Sequence, residues 1–337
     1  LLLALHKKVK NMAQPLLELI NVSKYFGYGV IGLTRFPAVD EVSLTISGEK
    51  PEVLTIVGES GSGKSTLAKI MLRILRPTRG IVKYMGKDIW RLRRDEVKKF
   101  IKDVQPVFQD PMDTFNLFEP VEGYLISVAR SLLKLDKNEA IEKVVSTLEF
   151  VGLTLDRIRG KRPPEFSGGE LQRISIARAL LAQPKLLIAD EPVSMIDASL
   201  RINILNLLRR IKDELGTSIV YITHDLATAN YIGDKIYVMY RGSIVEEGNI
   251  EDVIKNPLHP YTKVLLTSLP DYRKGKEWFK TPLPQTLHTV IEVHEMLLKG
   301  CKYLFYCPFK IEKCYERPTM MEVDKNHRVA CWLYHRK

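Results

Sequence analysis

"GESGSGKST", residues 58–66, stands directly behind the apolar run Val53-Leu54-Thr55-Ile56-Val57 and decides how the rest of the chain is read. Gly58, Gly63, Lys64 and Ser65 fill the phosphate-loop template G-x-x-x-x-G-K-[ST], and Thr66 follows. That template carries meaning only between a strand and a helix, and both are expected. "EVLTIVG" is a short β-branched run, and "STLAKIMLRIL" sets Leu67, Ile70, Met71, Ile74 and Leu75 at helical spacing. Successive backbone N–H groups around Ser60, Gly61, Ser62 and Gly63 would form a concavity for anionic oxygens at the positive end of that helix. Lys64 would reach the β- and γ-phosphates of a nucleoside triphosphate, and Ser65 would offer an oxygen to Mg²⁺. A chance Gly/Ser turn is the plain alternative, and the full spacing and context weigh against it.

The surrounding composition is that of a globular chain: 337 residues, 45% hydrophobic and 27% charged, long enough for two or three domains or subdomains. No run approaches the roughly eighteen apolar residues of a membrane-crossing helix. The formal charge of +11 could suit nucleic acid or an anionic membrane, but it reads as a Lys/Arg-rich solvated surface with no nucleic-acid partner. Its densest cluster, "WRLRRDEVKKF" (90–100), holds two acids and has the pattern of an amphipathic helix. Met12 precedes the first strand-like stretch, "AQPLLELINVSKYF", so residues 1–11 are expected to lie outside the fold as a tail.

A phosphate loop alone serves many chemistries, and the second half of the chain narrows them. "PKLLIADEP" (184–192) reads as a buried strand that delivers Asp190 and Glu191 at its C-terminal end. Asp190 suits a Mg²⁺-holding acid, and Glu191 is placed to polarise an attacking water. Upstream, "FSGGELQRISIARALLAQP" sets Ser167-Gly168-Gly169 before a helix, a second N-terminus suited to anions. The double glycine implies close backbone approach to a ligand.

In this order of motifs the chain resembles the ATP-binding subunits of ABC transporters. The phosphate loop is followed by "VFQDP" with Gln109, "SGGE" (167–170), "LLIADEP", "SMID" with Asp197, and "YITHD" with His224. These match the family's Walker A, Q-loop, signature, Walker B, D-loop and H-loop over roughly residues 15–255. Departures are small: Glu170 stands where Gln is frequent, and Met195-Ile196 replace a small-apolar pair.

The resemblance implies an α/β P-loop fold: a RecA-like core, an antiparallel β subdomain, a helical subdomain and a small C-terminal metal-binding module. Residues 12–108 and 167–255 would form the nucleotide-binding core. Residues 109–166, with the helical stretches "VEGYLISVARSLLKL" and "KNEAIEKVVSTLEFVGL", would dock membrane subunits; an ordinary packing insertion is the bland alternative. Residues 256–337 would be a C-terminal extension. The family's mechanism closes two subunits head to tail around ATP. Ser167, Gly168, Gly169 and Glu170 of one then face the triphosphate held by the other, and Asp197 braces the interface. Gln109, Ser65 and Asp190 would attend Mg²⁺; Glu191 would be the base, and His224 would hold it and the water in line. Tyr25 would stack on adenine, with Phe26 as competitor.

"NPLHPYTKVLLTSLP" (256–270) narrows the resemblance to the oligopeptide/dipeptide/nickel branch of importer ATPases. Cys301, Cys307, Cys314 and Cys331, spaced C-x5-C-x6-C-x16-C, suit a [4Fe–4S] cluster, a tetrahedral Zn²⁺ or free thiols by spacing alone. The resemblance implies the cluster, although residues 281–300 depart from the branch's usual Pro/Ser-rich strap. It also implies a second ATP-binding subunit (usually a paralogue), two transmembrane permease subunits, an extracytoplasmic solute-binding protein, and a peripheral place on the cytoplasmic membrane face. Peptide is the commonest solute of the branch; nickel and oligosaccharide are the others. Three rivals fit less well. A DNA-repair ATPase needs long coiled coils between the phosphate loop and the signature. A ribosome-recycling ATPase needs two cassettes and cysteines at the front. A non-hydrolysing scaffold subunit would lack parts of the catalytic set, which is intact here.

Overall fold

The computed structural model describes residues 14–28, 34–267 and 298–335. The expected tail and most of the 281–300 connector lie outside the described residues. Strand β3 (Val53–Val57) is buried along its whole length and lies in an eight-stranded sheet. Its parallel neighbours are β8 (Ser218–Thr223) and β9 (Lys235–Tyr240). Beyond β8 follow β7 (Leu186–Asp190) and β6 (Val104–Val107), also parallel.

These strands are apolar at nearly every position because both faces are covered. Alternate residues serve opposite layers. Val53, Leu187, Ala189, Ile219 and Tyr221 face the core with helices α3 (Val121–Leu133), α4 (Lys137–Phe150), α6 (Gly168–Leu180) and α7 (Ala198–Leu215). Leu54, Ile56, Leu186, Ile188, Val220 and Ile222 face α1 (Lys64–Met71), α2 (Arg94–Asp103) and a second sheet. That sheet is antiparallel, in the order β2 (Thr34–Ile46), β1 (Leu17–Tyr28), β4 (Arg79–Tyr84), β5 (Lys87–Asp88).

The helix behind the phosphate loop is shorter than its sequence pattern. It ends at Met71; Arg73 takes a left-handed φ of 59°, and Ile74 is exposed instead of continuing the buried stripe. Residues 109–166 contain α3, α4 and the short α5 (Leu155–Ile158), where helices are expected. Helix α4 starts with a capping box: the Asp136 carboxylate accepts the N–H groups of Asn138 and Glu139, and Glu139 accepts that of Asp136.

The C-terminal extension does not stand apart as a separate module. β9 turns through Arg241 and Gly242, both at positive φ, into antiparallel β10 (Ser243–Asn249). Short helices α8 (Leu226–Ile232), α9 (Ile250–Lys255) and α10 (Pro260–Thr267) pack on this edge. Strand β12 (His327–Val329) then pairs with β10, and β11 (Met321–Asp324) with β12, so the end of the chain lengthens the core sheet by two strands. A buried ion pair joins Lys302 to Asp40 of β2 at 3.1 Å, and Arg317 meets the same carboxylate at 3.1 Å. The extension therefore grips both sheets.

Candidate functional site

The phosphate loop leaves β3 at a crowded point. A Cβ on Gly58 would lie 2.1 Å from the Met239 carbonyl oxygen, and one on Gly63 would lie 2.0 Å from that of Ala38. Gly63 also has φ 102°, so bare backbone is required there on two counts. The loop is tied inward by the Gly242 N–H, which donates to the Ser62 carbonyl (2.9 Å), and by the Ser62 N–H, which donates to that of Glu59 (3.1 Å). The Lys64 ammonium donates to the carbonyl oxygens of Gly58 (2.7 Å) and Glu59 (2.8 Å). Burial lowers its pKa, opposed by the negative charges of Glu191, Asp190 and Glu59. Ser60, Gly61 and Ser65 are exposed on the open side, and Thr66 is half-buried in the first turn of α1.

Asp190 ends β7 beside this loop. Burial raises its pKa, a hydrogen bond from Ser65 opposes the rise, and Glu191 adds to it. Its Oδ1 is buried with no hydrogen-bond partner among the described residues. A buried carboxylate oxygen left open beside a serine hydroxyl fits the coordination of a hard cation such as Mg²⁺. Glu191 follows at a left-handed φ of 47°, with its N–H donated to the Ile222 carbonyl of β8 (2.9 Å). That turn aims the side chain towards His224, whose Nδ1 lies 3.1 Å from Glu191 Oε2. Gln109 lies exposed in the loop after β6, where the Phe108 carbonyl accepts from Gln172 of α6 (3.4 Å). Phosphate loop, Asp190, Glu191, His224 and Gln109 thus all lie at the C-terminal ends of parallel strands, where α/β sheets bind ligands.

Ser167 is the N-cap of α6, and its hydroxyl accepts the Glu170 N–H at 3.3 Å. Glu170 returns the bond, accepting from the Ser167 N–H and hydroxyl, and binds Arg157 at 2.8 Å. The Arg157 hydrogen bond, then that of the Ser167 N–H, hold its carboxyl near 2. Glutamate at this position is therefore a capping-box partner. Ser167 and Gly168 are exposed. Gly168 also has an intramolecular reason to lack a side chain: a Cβ would lie 3.3 Å from the Met195 carbonyl oxygen. Asp197 is exposed at the N-cap of α7. Tyr25 is half-buried on β1 with the Arg79 guanidinium 5.9 Å from its ring centre, and Phe26 is more exposed.

None of the four cysteines forms a disulfide. Cys301, Cys314 and Cys331 are buried and Cys307 half-buried, and the Cys301 N–H donates to the Cys314 carbonyl (2.9 Å). Burial, then the neighbouring thiols, push Cys301 up to about 12 and Cys331 to about 11. Among the described residues, no three His, Cys, Asp or Glu side chains converge on one point to hold a metal ion.

Sequence reasoning missed one contact. The Glu59 N–H of the phosphate loop donates to the Tyr261 hydroxyl at 3.1 Å. "HPYT" flagged Tyr261 as a branch feature, but no local pattern connects it to residue 59.

A phosphate loop closing on a paired Asp-Glu strand end, with a histidine against the glutamate, defines the class of P-loop nucleoside triphosphatases. Residues 39–194 match the ABC transporter family, and residues 245–314 match the oligopeptide/dipeptide transporter C-terminal region. The chain is 37% identical over 333 residues to the oligopeptide transport ATP-binding protein AppF of Bacillus subtilis, covering 95% of this chain and 98% of that protein. It is 36% identical over 301 residues to OppF of Salmonella typhimurium, an oligopeptide transport ATP-binding protein, covering 87% of each. Among solved structures it resembles the dimeric post-hydrolysis state of the ATP-binding cassette MJ0796 with ADP and Pi. There the TM-score is 0.61 at 28% identity, covering 69% of this chain and 98% of that one. It also resembles cbiO1 of Clostridium perfringens, part of the transporter complex cbiONQ, with a TM-score of 0.61 at 28% identity, covering 72% of this chain and 92% of that one. The chain belongs to the ABC transporter family, among the ATP-binding subunits of the oligopeptide/dipeptide type, and is an ATPase. Among the described residues no helix is long and apolar enough to cross a membrane.

Proposed function

We propose that this chain hydrolyses ATP to drive uptake of oligopeptides or related solutes, acting at the cytoplasmic membrane face beside two permease subunits, a solute-binding protein and a second ATP-binding subunit. The observation that carries this reading is the intact hydrolytic set on a chain whose 245–314 region matches the oligopeptide/dipeptide type. Lys64, Ser65 and the loop N–H groups bind the phosphates, while Ser65, Asp190 and Gln109 attend Mg²⁺. Glu191, 3.1 Å from His224, orients and deprotonates the attacking water, and His224 holds that carboxylate in line. Ser167 and Gly168, exposed at the N-terminus of α6, with the buried Gly169 behind them, grip the triphosphate of the opposing subunit. Tyr25 carries the adenine. Closure of the pair moves residues 109–166 and the permeases docked on them.

For the four cysteines the reading is a [4Fe–4S] cluster, as the family resemblance implies, with Zn²⁺ as the alternative; four free thiols, three of them buried, could ligate either. Held by Cys301, Cys307, Cys314 and Cys331, the cluster would brace the extension; no redox step is required of it.

The test is the complex rebuilt in liposomes with its permeases and binding protein. ATP-dependent uptake of labelled short peptides is expected, and Glu191→Gln should abolish uptake and turnover while ATP binding persists. Turnover at the wild-type rate in that variant would reject the base, and uptake of no peptide would reject the solute class.

A further inference from the structure

Both backbone polar groups of Glu59 are committed. Its carbonyl accepts the Ser62 N–H and the Lys64 ammonium, and its N–H donates to Tyr261 Oη at 3.1 Å. The Tyr261 hydroxyl therefore sets the orientation of the residue on which the loop's turn and its lysine hang. Tyr261 is only 1% exposed and is itself held tightly. Its N–H donates to His259 Nδ1 (3.1 Å), and the Glu246 carboxylate accepts the N–H groups of Leu258 and His259, each at 2.8 Å. Its ring packs against Tyr240, with centres 4.4 Å apart, and Tyr303, at 5.6 Å; Tyr240 and Tyr303 meet edge-on at 5.3 Å. Tyr303 lies between two of the four cysteines in sequence, and its carbonyl accepts the Cys307 N–H at 3.0 Å. An unbroken packed path thus runs from the cysteine segment through Tyr303 and Tyr261 to the loop that binds phosphate.

We propose that Tyr261 is a positioning residue of the nucleotide site, and that the cysteine segment tunes ATP affinity through the relay Tyr303–Tyr261–Glu59. The proposal uses only the phosphate loop's binding of ATP; it does not depend on the transported solute or on what the thiols bind. Tyr261→Phe keeps the ring and its packing and removes the acceptor of a part-buried N–H. The loop then loses its set orientation without losing any group that touches the phosphates.

The experiment compares full-length wild type, Tyr261→Phe, Tyr303→Leu and the double variant. Binding of Mg²⁺ with a fluorescent ATP analogue, steady-state ATPase kinetics and melting without nucleotide are measured on each. Tyr261→Phe should weaken ATP binding and raise KM about 2- to 10-fold, the effect of one lost part-buried hydrogen bond, with kcat nearly kept. Tyr303→Leu should shift affinity the same way by less. The double variant should bind ATP no more weakly than Tyr261→Phe, because Tyr303 acts through Tyr261. Unchanged ATP affinity in Tyr261→Phe, or a loss shared equally by kcat and tracking a lower melting temperature, would overturn the positioning role. Additive losses in the double variant would overturn the relay. Wild type that binds no ATP would remove the nucleotide reading first, and this proposal with it.

Discussion

Glu246 is fully buried, yet it is a carboxylate, and its partners explain why it is tolerated. Oε1 accepts the Leu258 N–H and His327 Nε2, each at 2.8 Å; Oε2 accepts the His259 N–H at 2.8 Å. One side chain on β10 thus ties down the entry to α10 and the strand β12 that completes the sheet. Glu246→Gln keeps the shape but turns one acceptor into a donor. If the amide nitrogen faces His259, one charge-assisted bond is lost and two N–H groups confront each other; if it faces Leu258 and His327, two are lost. At about 1.5 to 3 kcal/mol for each bond to a charged group, the local cost is about 1.5 to 6 kcal/mol. Taken at about 1.4 kcal/mol per tenfold, the opening equilibrium of this knot rises roughly 10-fold to 20,000-fold. Hydrogen exchange reads it directly: the amides of Leu258 and His259 should lose that much protection, with those of β7 and β8 unchanged. Equal exchange at Leu258 and His259 in both proteins would refute the reasoning, because it would mean the carboxylate is not what holds those N–H groups.

Three further outcomes are expected. Burial lowers the pKa of His259 from 6.5 to about 4, so the fold keeps it neutral while the unfolded chain takes up a proton below about 6.5. Its contribution is complete above pH 6.5 and is lost as pH falls towards about 4, by about 3 kcal/mol at most. His259→Asn, which retains an acceptor for the Tyr261 N–H, should flatten that acid limb in denaturation series at pH 7.5 and 4.5; an unaltered limb would exclude His259 as its source. Glu191→Gln, given ATP and Mg²⁺, should accumulate as a closed assembly by size-exclusion chromatography, whereas an unshifted elution would count against Glu191 as the group that lets the site reopen. Protein purified without oxygen should be brown with a broad band near roughly 400 nm and about four irons per chain. Stoichiometric zinc in a colourless sample would replace the cluster with the ion.

The nucleotide-binding half was legible in the sequence because its determinants are local. A glycine-lysine loop between an apolar run and a helix, or an Asp-Glu pair closing a buried strand, is specified within about ten residues, and periodicity reveals the elements around it. The end of α1 was misjudged for the same reason: Ile74 and Leu75 continue the helical spacing, but the left-handed Arg73 breaks the helix and turns Ile74 to solvent, while Leu75 packs back on the core. The resemblance of Glu170 to the usual Gln concealed a specific use: either residue could close the capping box, but the ion pair with Arg157 needs the charge.

By itself, the sequence determined the class of the chain, an ATP-binding subunit, and the local motifs that make its candidate phosphate site. Only the tertiary structure decided that the C-terminal extension would be built into that machine. Glu246 meets His327 81 positions away, and Tyr261 meets Glu59 across 202. Such pairs leave no periodic trace, because each residue looks ordinary among its neighbours in sequence. What selects them is the need of a buried polar group for a partner once β10, α10 and β12 have been brought together by packing.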